Sequence, residues 1–173
     1  MERKFDKQDM ALVKHEGRKH LVLADSIVWN FGTENSYLRV ECFPGIRTAR
    51  MHTVMENRTL GNPDTILIHV GTNDLRRTSN LNYVMGEVYS LMATNKFKFL
   101  HCRLVLSGVV RQRDVTWWCI KVVNDRYDWI AKNLGVTFVD LNSWIERGNF
   151  GRGQLNINRR GVSQLGHLDF QTV

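Results

Sequence analysis

The sequence is poor in the residues that interrupt or staple a chain. Its 173 residues include two prolines, Pro44 and Pro63, and no low-complexity tract or internal repeat. Hydrophobic residues make up 43%, enough to build the core of one domain, which excludes a disordered tail. No apolar run approaches the length of a membrane span, so no spanning helix is expected. The three cysteines, Cys42, Cys102 and Cys119, are odd in number, widely spaced and without a metal-type pair. That pattern speaks against a disulfide framework and for reduced thiols in an intracellular protein, cytoplasmic or nuclear. No metal or cofactor is expected. The stretch from Met1 to His20 is charged from Glu2 onward and lacks the apolar core and cleavage site of a secretory signal.

What is present is positive charge and a regular alternation of elements. The net charge is +7, which favours anionic partners without fixing fold or activity. Five short apolar runs read as strands: His20 to Asp25, Leu38 to Phe43, Asp64 to Val70, Arg103 to Ser107 and Val136 to Asp140. Near-continuous apolar runs of this length suit a parallel sheet covered on both faces. Helical stretches fall between them. One spans Ile46 to Leu60. Another is capped by Asn80 and runs through Val84, Val88, Leu91 and Met92 at helical spacing. A third is capped by Asp114, runs through Trp118, Val122, Trp129 and Ile130, and ends at Gly135. A last one covers Arg159 to about Leu168. The expected fold is a three-layer α/β/α sandwich around a five-stranded parallel sheet, flavodoxin-like in class. Residues 1–19 read as a basic lead-in and 20–173 as the domain.

In such folds the functional crevice lies at the carboxyl ends of the strands. Three segments there carry motifs. Leu23-Ala24-Asp25-Ser26 ends a strand in an exposed serine. Cys42-Phe43-Pro44-Gly45 ends one in a glycine. Ile68-His69-Val70-Gly71-Thr72-Asn73-Asp74 ends one in G-T-N-D. In this order the segments resemble the G-D-S, Gly and G-x-N-D blocks of the SGNH (GDSL-type) ester hydrolases. The resemblance covers about Lys19 to Gly166. It implies that Ser26 is the nucleophile. It also implies that the backbone N–H groups of Ser26 and Gly45, with the side-chain amide of Asn73, form an oxyanion hole. The residue types suit that chemistry: an oxyanion needs preorganised donors, glycine permits close backbone approach, and asparagine supplies an uncharged N–H.

Within that family the chain most resembles the SGNH domain of vertebrate LINE-type retrotransposon first open reading frames. Those carry a stretch of the form F-x-R-D-G-L-H-L-N-R-R-G. Here it reads Phe150-Gly151-Arg152-Gly153-Gln154-Leu155-Asn156-Ile157-Asn158-Arg159-Arg160-Gly161. Gly153 stands where the family has the catalytic Asp, and Asn156 where it has the His. Ala24 replaces the usual Gly before Asp-Ser. A serine hydroxyl needs an adjacent base, and neither glycine nor asparagine is one. From Arg147 to Gly166 there is no Asp, Glu or His. His167 and Asp169 follow about three helical turns beyond Asn156, too far along an expected helix to replace it.

The positive charge is unevenly placed. Lys96 to Arg113 contains five cations and no acid. Arg76, Arg77, Arg111, Arg113, Arg147 and Arg152 all fall in segments after strand ends, so the fold is expected to gather them on one rim. Arginine favours bidentate phosphate contacts, and Trp117 and Trp118 nearby could stack a base. Three functions stay open. The first is a catalytically degenerate binding module, with single-stranded RNA or DNA as partner. The second is a living acyl-ester hydrolase using Ser26. The third is a protein-interaction or structural module, self-association included.

Overall fold

The computed structural model describes residues 20–26 and 38–143. Five strands form one sheet: β1 (His20–Ala24), β2 (Leu38–Cys42), β3 (Thr65–His69), β4 (Arg103–Ser107) and β5 (Thr137–Val139). Their order is β2-β1-β3-β4-β5 and every pairing is parallel. Four helices are described: α1 (Thr48–Asn57), α2 (Thr72–Leu75), α3 (Leu81–Lys98) and α4 (Trp117–Leu134).

The period-2 geometry of a strand sorts the side chains onto two faces. Leu21, Leu23, Ile66, Ile68, Leu104 and Leu106 join one core with Met51 and Met55 of α1, Val88 and Met92 of α3, and Ile120 and Tyr127 of α4. Val22, Leu67, Val105, His69 and Ser107 point to the opposite face and are buried as well. β3 is buried at all five positions, so both faces of the sheet are covered, as the apolar runs require. The expected three-layer α/β/α architecture is the one observed.

Local signals account for most element ends. The Asn80 side chain accepts from the Tyr83 N–H at 3.1 Å, as expected of a cap, and Gly135 closes α4 in the left-handed conformation. One expected cap needs correction. The cap of α4 is Thr116, whose hydroxyl accepts from the Cys119 N–H at 3.3 Å; Asp114 is drawn instead into an ion pair with Arg76. Trp118 and Trp129 stand 71% and 62% exposed on α4. From Thr72 the G-T-N-D segment winds into the single turn α2. The lead-in at 1–19 and the helix at Arg159 to Leu168 lie outside the described residues.

Candidate functional site

The order β2-β1-β3-β4-β5 puts the reversal of strand order between β1 and β3. In open α/β sheets the crevice opens outside the carboxyl ends at such a switch point. Ser26 lies there, two residues past the end of β1, half-buried at the start of a 3₁₀ turn. Its neighbours on either side are the exits of β2 and β3, since Ala24 is in register with Cys42 on one side and His69 on the other.

Those two exits are bonded to each other. After β2 the chain turns through Phe43 to Ile46, with the Ile46 N–H donating to the Phe43 carbonyl at 3.0 Å. Gly45 holds the left-handed corner of this turn at φ 73°, which is why a glycine is needed. Close approach is not the reason: a Cβ on Gly45 would meet nothing within 4 Å. The Asn73 amide donates to the Ile46 carbonyl at 3.0 Å, which leaves one N–H free to donate elsewhere. Next to it, the buried Asp74 carboxylate accepts from both the Thr48 N–H at 3.0 Å and the Thr48 hydroxyl at 2.8 Å. Arg47 supplies no side-chain cap to α1, so Asp74 fills that role from α2, 26 residues away. Gly45 and Asn73 are thus held as neighbours at the same end of the sheet as Ser26.

Beneath this end lies a buried polar line. His69 is fully buried, with Nδ1 2.6 Å from the Ser107 hydroxyl and Nε2 3.9 Å from an Asp25 carboxylate oxygen. Burial lowers its pKa below the ordinary value, and the Asp25 charge opposes this only in part. His69 is neutral, enclosed and bonded to Ser107, so it does not serve as a base at the surface of the crevice. Cys42 is no substitute nucleophile, because burial and then the Asp25 charge push its thiol up to about 11.

The neutral His69 has a consequence for stability. In the unfolded chain the imidazole protonates as pH falls below its ordinary 6.5, while the folded chain resists the proton. The unfolded state then binds more protons, so stability falls as pH drops through that range. Thermal melts should show a steeper loss below pH 6.5 for the wild-type chain than for His69→Gln. Equal slopes would assign the titration to another group.

The expected arginine rim divides into bound and free members. Arg76 donates from Nε to Asp114 at 2.7 Å and from Nη2 to the Gln112 carbonyl oxygen, so it joins the exits of β3 and β4 and is not free for phosphate. Arg111 lies with its guanidinium 4.3 Å from the Trp117 ring centroid, its backbone N–H held by Asn142 at 2.7 Å. Arg77 and Arg113 are exposed and make no ion pair among the described residues. Of the acid-free stretch, Lys96 and Lys98 are spent on helix ends: Lys96 donates to the Leu134 carbonyl and Lys98 to those of Met55 and Glu56. Arg147, Arg152, Gly153 and Asn156 lie outside the described residues. Two further exposed cations at this end, Arg47 and Arg50, were overlooked in the sequence reading. Their signal was the run Gly45-Ile46-Arg47-Thr48-Ala49-Arg50 directly after a strand-closing glycine.

No protein-family model matches the sequence, and no curated protein is significantly similar to it. Solved structures, in contrast, superpose over most of the chain. A protein of Bacteroides fragilis assigned to the acylhydrolases matches with a TM-score of 0.76 at 15% identity, covering 99% of this chain and 97% of that one. The fold is that of the SGNH hydrolases. A GDSL-like lipase of Bacteroides thetaiotaomicron shares the SGNH fold at a TM-score of 0.74 and 15% identity, over 90% of this chain and 87% of its own. AlinE4, an SGNH-hydrolase family esterase, does so at 0.61 and 16%, over 87% and 91%. At such identities the likeness establishes the SGNH fold and leaves the chemistry to be argued from the residues.

Proposed function

We propose that this chain is a catalytically degenerate SGNH-fold protein, which binds at its crevice without turning over an ester, and that its partner is nucleic acid. One observation carries the loss of catalysis: Gly153 and Asn156 occupy the positions where the resembling family has its Asp and His. The described residues do not replace them. Their histidines are His20, His52, His69 and His101. His20 opens β1 at the far end of the sheet, His52 lies within α1, and His101 precedes β4. His69 is locked to Ser107. Without a base the serine hydroxyl stays a weak nucleophile, while Ser26, Gly45 and Asn73 keep the power to hydrogen-bond.

Two observations support an anionic partner. The chain carries a net charge of +7, and Arg77, Arg111 and Arg113 follow the carboxyl ends of β3 and β4, with Arg111 stacked on Trp117. The resemblance of the stretch 150–161 to a retrotransposon-encoded SGNH domain points the same way.

Fluorophosphonate labelling together with hydrolysis of short-chain acyl esters tests the first half. The expected result is no label on Ser26 and no turnover above that of heat-denatured protein. Turnover in the ordinary enzyme range, roughly 1–1,000 per second, abolished by Ser26→Ala, would make the protein a living ester hydrolase instead.

A further inference from the structure

We infer that α1 contributes a second, unassigned half of the nucleic-acid site, Arg47 and Arg50, so that a bound single strand crosses the crevice instead of lying along one side of it. This rests on the function proposed above. The sheet order separates two cationic flanks. On one side, the exit of β2 leads through Gly45 into Arg47 and Arg50. On the other, the exit of β4 leads into Arg111, Arg113 and Trp118. Between them open the exits of β1, with Ser26, and of β3, with Asn73. β2 and β4 lie three strand spacings apart, about 14 Å, which a short length of extended single strand bridges.

The acids that would cancel these charges are occupied or buried among the described residues. Asp74 is held by Thr48, Asp114 by Arg76, and Asp140 accepts from the Asn142 N–H and amide. Asp25 is only 2% exposed. Arg47 and Arg50 are exposed and make no ion pair among the described residues. They also sit at the electropositive end of α1, where basic side chains oppose the helix dipole; a local conflict of this kind marks a place where stability yields to function.

The aromatic side of the site points to bases and not to charge alone. The loop from Gly108 to Thr116 is braced: Asn124 bonds both backbone groups of Val109 at 2.7 and 3.0 Å, and Asn142 holds the Arg111 N–H. It leads into the first turn of α4, where Trp118, 71% exposed, follows the Arg111–Trp117 stack. An exposed indole next in sequence to a cation-stacked one offers a stacking face for a nucleobase, while the cations take the phosphates.

The test is fluorescence anisotropy of a labelled single-stranded RNA oligonucleotide with the full chain over a salt series. Binding should weaken with salt at a slope of about −0.7 per phosphate contact. Arg47→Glu with Arg50→Glu should lower affinity at least tenfold and flatten that slope by roughly two contacts. The milder Arg47→Ala with Arg50→Ala should act in the same direction with a thermal melt equal to or above that of the wild-type chain, which separates binding from folding. Trp118→Ala should lower affinity about tenfold or more. Binding that ignores both Arg47/Arg50 variants overturns the α1 flank and leaves nucleic-acid binding intact. Equal competition by heparin, or by phosphatidylserine vesicles, with no effect of Trp118→Ala, overturns base recognition and leaves a surface that reads charge alone. No association at micromolar protein in low salt overturns the proposed partner and this site with it.

Discussion

The double substitution Gly153→Asp with Asn156→His is expected to raise short-chain ester hydrolysis about a hundred- to ten-thousandfold over the wild-type chain, the range a positioned acid–base pair supplies. A triad acts as a unit. Losing its serine or histidine costs on the order of a million-fold in a well-studied serine hydrolase, and what remains, about a thousandfold or more over water, comes from the oxyanion hole and binding. If Ser26, Gly45 and Asn73 still form that remainder, adding the imidazole and its orienting carboxylate supplies the missing part. Recovery short of a full enzyme is expected, because Ala24 and Gln154 also depart from the family pattern. Hydrolysis of p-nitrophenyl acetate by the double variant is the measurement, and Ser26→Ala in the same background must return it to baseline. An unchanged rate in a correctly folded double variant would show that 153 and 156 do not face Ser26.

Gly71→Ala is expected to destabilise the fold by about 2–6 kcal/mol, the combined range for a strained backbone and an overpacked core. Gly71 sits at φ 112°, where side chains are disfavoured. An added Cβ would collide with the Tyr127 hydroxyl and press to 3.3 Å from a Val109 methyl. That hydroxyl is fixed: Tyr127 is fully buried and donates to the Val70 carbonyl at 3.1 Å. The two sites are therefore coupled. Denaturant unfolding of Gly71→Ala, Tyr127→Phe and the double variant should show that the alanine costs less once the hydroxyl is gone. A Gly71→Ala cost within about 0.5 kcal/mol, the usual reach of an innocuous surface change, would contradict the packing described.

How much of this was legible beforehand follows the range of the interactions. The strands were legible because buried parallel strands are written as apolar runs, and each observed strand falls within its expected run. Asn80 and Gly135 were legible because a cap acts within one turn of itself. Asp114 misled for the same reason: it has the chemistry of a cap, but its partner is Arg76, 38 residues away, and nothing local announces that pairing. Helical spacing shows which residues of α4 share a face without telling which face meets the sheet, so the exposure of Trp129 could not be read from it. The positions of Ser26, Gly45 and Asn73 at strand ends were readable. The bond from Asn73 to Ile46 and the grip of Asp74 on Thr48 were not, since each joins residues more than twenty positions apart.

That grip changes what the letters G-T-N-D say about a chain. Asp74 works here as a bracket, bolting the turn after β3 to the first residue of α1, and Gly71 makes room for a tyrosine behind it. Both tasks belong to construction and do not depend on hydrolysis. A search that takes the tetrapeptide as a sign of a working esterase detects the masonry around the hearth, not whether a fire can be lit there.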